Sequence, residues 1–406
     1  MKTTRRQWAT AVGALPLAGA QGQSAAPRLP LKAAFAVTGA ETCLNNARWH
    51  PISTGAARAV RDYLDYKASG GGAAPDYGGS IQRRAKALFA GLINARPSEI
   101  AFIPSTLAGE NLVVSGLGLP TAGGNVVTDA LHFEGSLYLY GAMERQGLEV
   151  RTVRPREWRI RLEDVEKAVD RNTRLVAISQ VSMLNGFEHD LKAVCEIAHA
   201  RGAVVFADVV QAAGATPIDV RASGVDFCAC SSYKWLMGDM GLGFLYVREE
   251  LLGRVIRRSQ YGYRQLSKMD YHLFPYDPPG GSIFEWEQTH DAAGHFEVGT
   301  ISNTTAACLT YSLALIQRIG VERIVEHRRP MLARLREQMP RLGFTPLTPP
   351  DSQSPIIAFA AKDTARLEKR LRAAKVDIAV YPGRIRISPS IYNDMADVDR
   401  LLSLLG

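Results

Sequence analysis

Val204–Val247 reads VVFADVVQAAGATPIDVRASGVDFCACSSYKWLMGDMGLGFLYV, and two apolar runs inside it decide the fold. Val204–Ala207 and Val225–Cys230 have the length and the β-branched or aromatic content of buried strands. Each gives way to polar residues, Asp208 after the first and Ser231–Lys234 after the second. In an open α/β sheet the ligand sits at the carboxyl ends of the strands. Asp208, Gln211, Ser231, Ser232 and Lys234 are therefore expected to converge on one crevice.

A lysine set beside Trp235, Leu236 and Met237 is partly desolvated. Desolvation favours the neutral amine, which can form a Schiff base with an aldehyde. A carboxylate fixed nearby would hold a pyridine nitrogen protonated and make that ring an electron sink. Lysine plus aspartate is what pyridoxal 5'-phosphate (PLP) requires. A lone lysine after a strand is ordinarily a surface lysine; the companions of Lys234 set it apart.

ADVVQ followed by SSYKW and GLGFLY resembles the class V aminotransferase family of fold-type I PLP enzymes, which includes cysteine desulfurases and isopenicillin N epimerase. The resemblance runs from about Thr42 to the C-terminus. It implies an α/β fold: a large domain (55–300) with a mostly parallel seven-stranded sheet and a smaller C-terminal α+β domain (301–406). It also implies Lys234 as the Schiff-base lysine, Asp208 on the pyridine nitrogen, Gln211 on the ring hydroxyl and Ser231 on the phosphate. Tyr233 takes a place often held by histidine.

Other positions follow from the same resemblance. Ser105, Thr106 and the Leu107 amide open a helix after the strand Ala101–Pro104, where exposed N–H groups suit an anion; they are expected on the phosphate. His132, in LHFEGS after the strand Asn125–Asp129, is expected to stack on the ring and to assist proton transfer as a catalytic residue beside Lys234 and Asp208. Thr300, in FEVGTISN, would reach the phosphate of a neighbouring subunit, which implies a homodimer with shared active sites. Arg386, in RISPSIYN, would grip an α-carboxylate as a bidentate pair. Asn46, Arg48 and His50 lie in a segment (27–54) expected to cross the active site and face substrate; a buckle between lobes is the other reading.

Two departures bear on the reaction. Met183 stands where desulfurases carry an asparagine, so that role is lost or passes to Gln180 or Asn185. Only Pro382–Arg384 occupies the interval in which desulfurases carry a sulfur-accepting cysteine. Persulfide transfer is therefore disfavoured against transamination, epimerisation or β-elimination, each of which begins with loss of the Cα proton of an amino-acid substrate.

The 406 residues suffice for two lobes, and 46% hydrophobic with 22% charged is ordinary globular composition. Residues 1–26 read as a twin-arginine signal: Arg5 and Arg6, a short apolar run broken by Pro16, then small polar residues. That run is too short to span a bilayer, so the expectation is an exported or periplasmic enzyme without membrane insertion. Removing the segment takes three positive charges (Lys2, Arg5, Arg6) from the net +8 and leaves +5. No nucleic-acid motif accompanies that charge. The five cysteines follow no zinc or disulfide spacing. His290, Asp291 and His295 match no accepted metal geometry, so no metal is expected. Two readings from other classes compete. No G-x-G-x-x-G opens a β-α unit, against a Rossmann dehydrogenase, and a catalytically idle PLP-fold scaffold would not need Lys234, Asp208 and His132 together.

Overall fold

The computed structural model describes residues 27–70 and 77–406. The expected signal segment 1–26 lies outside the described residues, as do residues 71–76 in the Gly/Pro-rich stretch.

After the short strand β1 (Thr42–Cys43) come β2 (Ile100–Ile103), β3 (Asn125–Asp129), β4 (Glu149–Val153), β5 (Thr173–Ser179), β6 (Val204–Asp208), β7 (Phe227–Ser231) and β8 (Gly243–Val247). The last seven form one sheet in the order β2-β8-β7-β6-β5-β3-β4. Strands β4, β3, β5, β6 and β7 are parallel, and β8 runs antiparallel to both of its neighbours. The sheet is covered on both faces, which is why the inner strands read as nearly unbroken apolar runs. Phe206, Phe227 and Leu245 pack in one layer with Val113 and Tyr140. Val205, Ala207, Cys228 and Phe244 pack in the other with Phe89 and Ile316. Strand β4 is the outer edge and is largely solvated, so the charged stretch beginning at Arg151 starts inside a strand.

Helices α1 (Thr54–Ala68), α2 (Tyr77–Leu92), α3 (Thr106–Gly116) and α4 (Glu134–Glu144) follow the expected order. Ser53 caps α1 by accepting the Ala56 N–H at 3.2 Å.

Residues 261–297 contain an antiparallel hairpin, β9 (Leu266–Tyr271) and β10 (Phe284–Gln288). Both strands are mostly exposed, so neither has the alternating buried face that makes a strand visible in sequence. Asp291 caps the short helix Ala292–Phe296, and His295 bonds the Asp291 carbonyl.

Helices Asn303–Ile319 and Val321–Arg341 lead to a four-stranded antiparallel sheet. It contains β11 (Thr345–Pro346), β12 (Ile357–Ala360), β14 (Ala379–Tyr381) and β15 (Arg384–Ile387), in the order β11-β12-β15-β14. The remaining strand, β13 (Val376–Asp377), pairs in parallel with β1, tying the N-terminal segment to the C-terminal sheet. Phe359, Ile385 and Leu401 centre a separate core there.

One glycine sets the approach of two site segments. Gly214 has φ +89°, and an added Cβ would lie 2.7 Å from the Trp235 carbonyl oxygen. Gly214→Ala should lower stability by about 3 kcal/mol, from left-handed strain plus overpacking, read as a shift in the denaturation midpoint. An unchanged midpoint would show that the two segments separate without penalty.

Candidate active site

Three parallel strands end side by side in polar residues: β5 in Ser179, β6 in Asp208 and β7 in Ser231. Beyond them lies a cavity of about 250 Å³. Of the expected residues, Ser105, Thr106, Leu107, Asp208, Gln211, Ser231, Tyr233 and Lys234 line it, as do Ser179 and Phe133.

At one end α3 meets β7. Ser105 caps α3 by accepting the Ala108 N–H at 3.2 Å. The Thr106 N–H donates to Ser231 Oγ at 2.8 Å, and the Ser231 N–H donates to Thr106 Oγ1 at 2.9 Å. This reciprocal pair locks a strand end onto a helix N-terminus. Hydroxyls, amides and the positive end of the helix dipole then face one volume, which suits a phosphate.

Elsewhere in the cavity are the amine and the carboxylate. Lys234 is 8% exposed and is followed in the chain by buried Trp235, Leu236 and Met237. Burial pushes its amine down to about 8, against the pull of the Asp208 carboxylate, and the Arg386 charge lowers it further. Asp208 is buried; its Oδ1 accepts the Val210 N–H at 2.9 Å. Burial raises the Asp208 carboxyl, opposed by His132, the Val210 N–H and Lys234. Gln211 lines the wall with its amide engaged: Nε2 donates to the Ala47 carbonyl at 3.0 Å and Oε1 accepts from Trp235 Nε1 at 2.9 Å.

Several expected residues lie elsewhere. His132 is fully buried behind the wall, with Nδ1 2.8 Å from Ser179 Oγ and Nε2 3.1 Å from Glu110 Oε1. The next residue, Phe133, lines the cavity in its place. Sequence spacing could not separate two adjacent aromatics at a helix start.

Asn46 donates to the Ser388 carbonyl and accepts the Tyr392 hydroxyl. His50 bridges the Pro51 carbonyl and Ser390 Oγ, and burial lowers its pKa to about 4. Both therefore act as the buckle to the C-terminal lobe rather than lining the cavity. Arg48 is exposed and borders a different cavity, with Asp377 and Tyr381. Thr300 is exposed and away from the cavity lining.

Arg386 is buried, with Nη1 donating to the Met183 carbonyl at 2.9 Å and Nε without a partner. Burial lowers its pKa, and its charge is felt by Lys234. Met183 itself lines the cavity. The Asn185 amide is engaged by the Trp158 and Leu347 carbonyls and the Phe187 N–H, so it does not replace the missing asparagine.

A buried amine held near neutrality, a buried carboxylate and an anion cradle fit the aldehyde, ring nitrogen and phosphate of PLP. Comparison with known proteins agrees. The Aminotransferase class-V family matches residues 57–401, and the chain belongs to that family of PLP-dependent enzymes. It is 27% identical over 360 residues to the Bacillus subtilis protein named "Uncharacterized aminotransferase YcbU", covering 87% of this chain and 89% of that one. It is 30% identical over 304 residues to a probable cysteine desulfurase of Methanothermobacter thermautotrophicus, covering 72% and 70%. An apo cysteine desulfurase from Thermococcus onnurineus superposes with TM-score 0.82 at 21% identity over 94% of this chain and 98% of that one. The cystine C–S lyase C-DES does so at 0.76 and 20%, over 90% and 97%. These solved structures share the fold-type I architecture.

Proposed function

We propose that the protein acts on a small α-amino acid by removing its Cα proton at Lys234 Nζ, without carrying sulfur on a protein cysteine. The observation that carries this reading is the buried pair of Lys234, pushed down to about 8, and Asp208 in one cavity. When bound, PLP supplies the electron sink that makes the Cα proton acidic. Asp208 would hold a proton at the ring nitrogen, Thr106 and Ser231 would hold the phosphate, Phe133 would supply an apolar wall for the ring, and Arg386 would bind the substrate carboxylate.

Persulfide chemistry is disfavoured by the thiols themselves. All five cysteines are buried and none lines the cavity. Burial pushes Cys43 and Cys308 up to about 11 and Cys195 to about 12, far from the thiolate a sulfur acceptor needs. Transamination, epimerisation and β-elimination, including the C–S lysis for which C-DES is named, share the first step. Incubation of the PLP-loaded protein with a panel of amino acids distinguishes them by keto acid, ammonia or sulfide, or inverted stereochemistry. If none of the amino acids takes up solvent deuterium at Cα, the reading is rejected.

A homodimer with shared sites is part of this proposal. Thr300 is free to face a second subunit, and the preceding hairpin exposes Tyr271, Phe274, Tyr276, Ile283 and Trp286, an apolar surface of the kind a partner covers. Thr300→Ala should lower cofactor retention about tenfold, the scale of a phosphate hydrogen bond. Subunit exchange between Thr300→Ala and Lys234→Ala should then restore about a quarter of wild-type activity, because half the dimers have one intact site. Demonstrated heterodimers without activity would place Thr300 in its own subunit's site.

Export by the twin-arginine route is proposed from residues 1–26. Arg5→Lys with Arg6→Lys keeps the charge and should retain the protein in the cytoplasm; undiminished periplasmic recovery would refute it. No helix among the described residues is long and apolar enough to cross a membrane.

A further inference from the structure

Behind Asp208 a chain of buried side chains leads away from the cavity. Ser179 Oγ lies 3.5 Å from Asp208 Oδ2 and 2.8 Å from His132 Nδ1, and His132 Nε2 lies 3.1 Å from Glu110 Oε1. Glu110 is 0% exposed on α3. Its ion-pair partner among the described residues is His132. The Ser136 and Tyr140 hydroxyls also donate to it, at 2.5 and 2.7 Å.

Hydrogen counting gives this chain a direction. Ser179 has one hydroxyl hydrogen, and an ionised Asp208 can only accept. Ser179 therefore donates to Asp208 and accepts from His132 Nδ1–H. At the other ring nitrogen an ionised Glu110, which accepts the Ser136 and Tyr140 hydroxyls, can likewise only accept; Nε2–H then donates to it and the ring is an imidazolium. The groups facing His132 are Glu110 from α3, Asp129 from the end of β3, Ser179 and Asp208. Burial opposes the charge on His132, but the carboxylates of Glu110, Asp208 and Asp129 outweigh it and raise its pKa.

We propose that Glu110 is a positioning residue for Asp208: through His132 and Ser179 it keeps a cation and a directed hydroxyl behind that carboxylate. The inference rests on Asp208 facing the ring nitrogen, as argued above. That pair shares one proton, which sits either on the carboxyl, leaving both groups neutral, or on the ring nitrogen, leaving both charged. Burial favours the neutral form. The imidazolium behind Asp208 favours the charged form, which is the one that makes the ring an electron sink.

The test reads protons directly. In apo protein labelled with ¹⁵N-histidine, the His132 signal, assigned by its loss in His132→Asn, should be doubly protonated at pH 7.5. In Glu110→Gln it should become neutral. With PLP labelled at the ring nitrogen, the wild-type signal should be that of a protonated nitrogen and should shift toward the neutral form in Glu110→Gln. There kcat should fall about tenfold or more while KM changes less than twofold. Ser179→Ala provides a second variant if Glu110→Gln does not fold: it leaves the Glu110–His132 pair in place yet should shift the ring-nitrogen signal the same way. A neutral His132 in the wild type, or a protonated ring-nitrogen signal unmoved by either variant, overturns the role of Glu110 and leaves Asp208 in place. An unprotonated ring nitrogen in the wild type removes the Asp208 assignment itself.

Discussion

Replacing Lys234 with alanine is expected to abolish the borohydride-fixed link between protein and PLP and to lower turnover by about 10⁴-fold, the upper range for a positioned proton-transfer group. The fold should survive. Lys234 lies beyond the end of β7 at Ser231, after Ser232 and Tyr233, rather than interrupting the sheet, and it lines a cavity. Truncation also removes a buried amine whose burial is unfavourable to its charge. Far-ultraviolet circular dichroism should therefore be unchanged while the reduced adduct is missing from the peptide map. A reducible lysine adduct persisting in the variant would move the attachment point elsewhere. The amine also sets a pH dependence. Its pKa lies near 8 rather than at 10.5, so the fraction of reactive neutral amine rises with pH and reaches half near pH 8. Capture of PLP by the apo protein should accelerate over that range and level off above it. A rate still climbing steeply at pH 10 would mean that Lys234 is not desolvated.

Asp208→Asn should keep the PLP link and lose about 10²–10³-fold in kcat, the cost of removing one preorganised electrostatic partner. The amide is nearly the same size, and its oxygen can still accept the Val210 N–H that Asp208 now accepts at 2.9 Å. What disappears is the negative charge that holds a proton on the ring nitrogen. The expected signature is therefore a full complement of bound PLP with a collapsed kcat. Turnover within threefold of wild type would take Asp208 out of its assigned role. Simple loss of PLP would make it an anchor rather than an electronic partner.

The strands behind these predictions were readable because burial on both faces demands apolar runs, and each run stops where the chain meets the ligand crevice. That is how Val204–Asp208 and Phe227–Ser231 disclosed Asp208 and Lys234 together. The hairpin β9–β10 was not readable, because a pair of exposed strands satisfies its backbone hydrogen bonds without needing an alternating face. Glu110 was missed for a different reason. In TLAGENL it looks like any glutamate in the first turns of a helix, and only the packing of α3 against α4 and the turn before it makes it a buried partner of three side chains.

By itself the sequence determined the fold class, the order of the elements and the cavity's amine, carboxylate and phosphate cradle. The amine and the carboxylate follow from apolar runs that end in polar residues, whereas the fold class and the expected phosphate cradle follow from the resemblance to class V aminotransferases. Tertiary structure alone decided which side chains reach the cavity. It turned Phe133 rather than His132 toward it and drew Asn46 and His50 into hydrogen bonds with Ser388, Tyr392 and Ser390. It also left the Nε of Arg386 buried and unpartnered. The physical reason is that side-chain direction depends on where neighbouring elements leave room and unsatisfied hydrogen-bonding groups. Those elements lie tens to hundreds of residues away in the chain, beyond the reach of any local pattern.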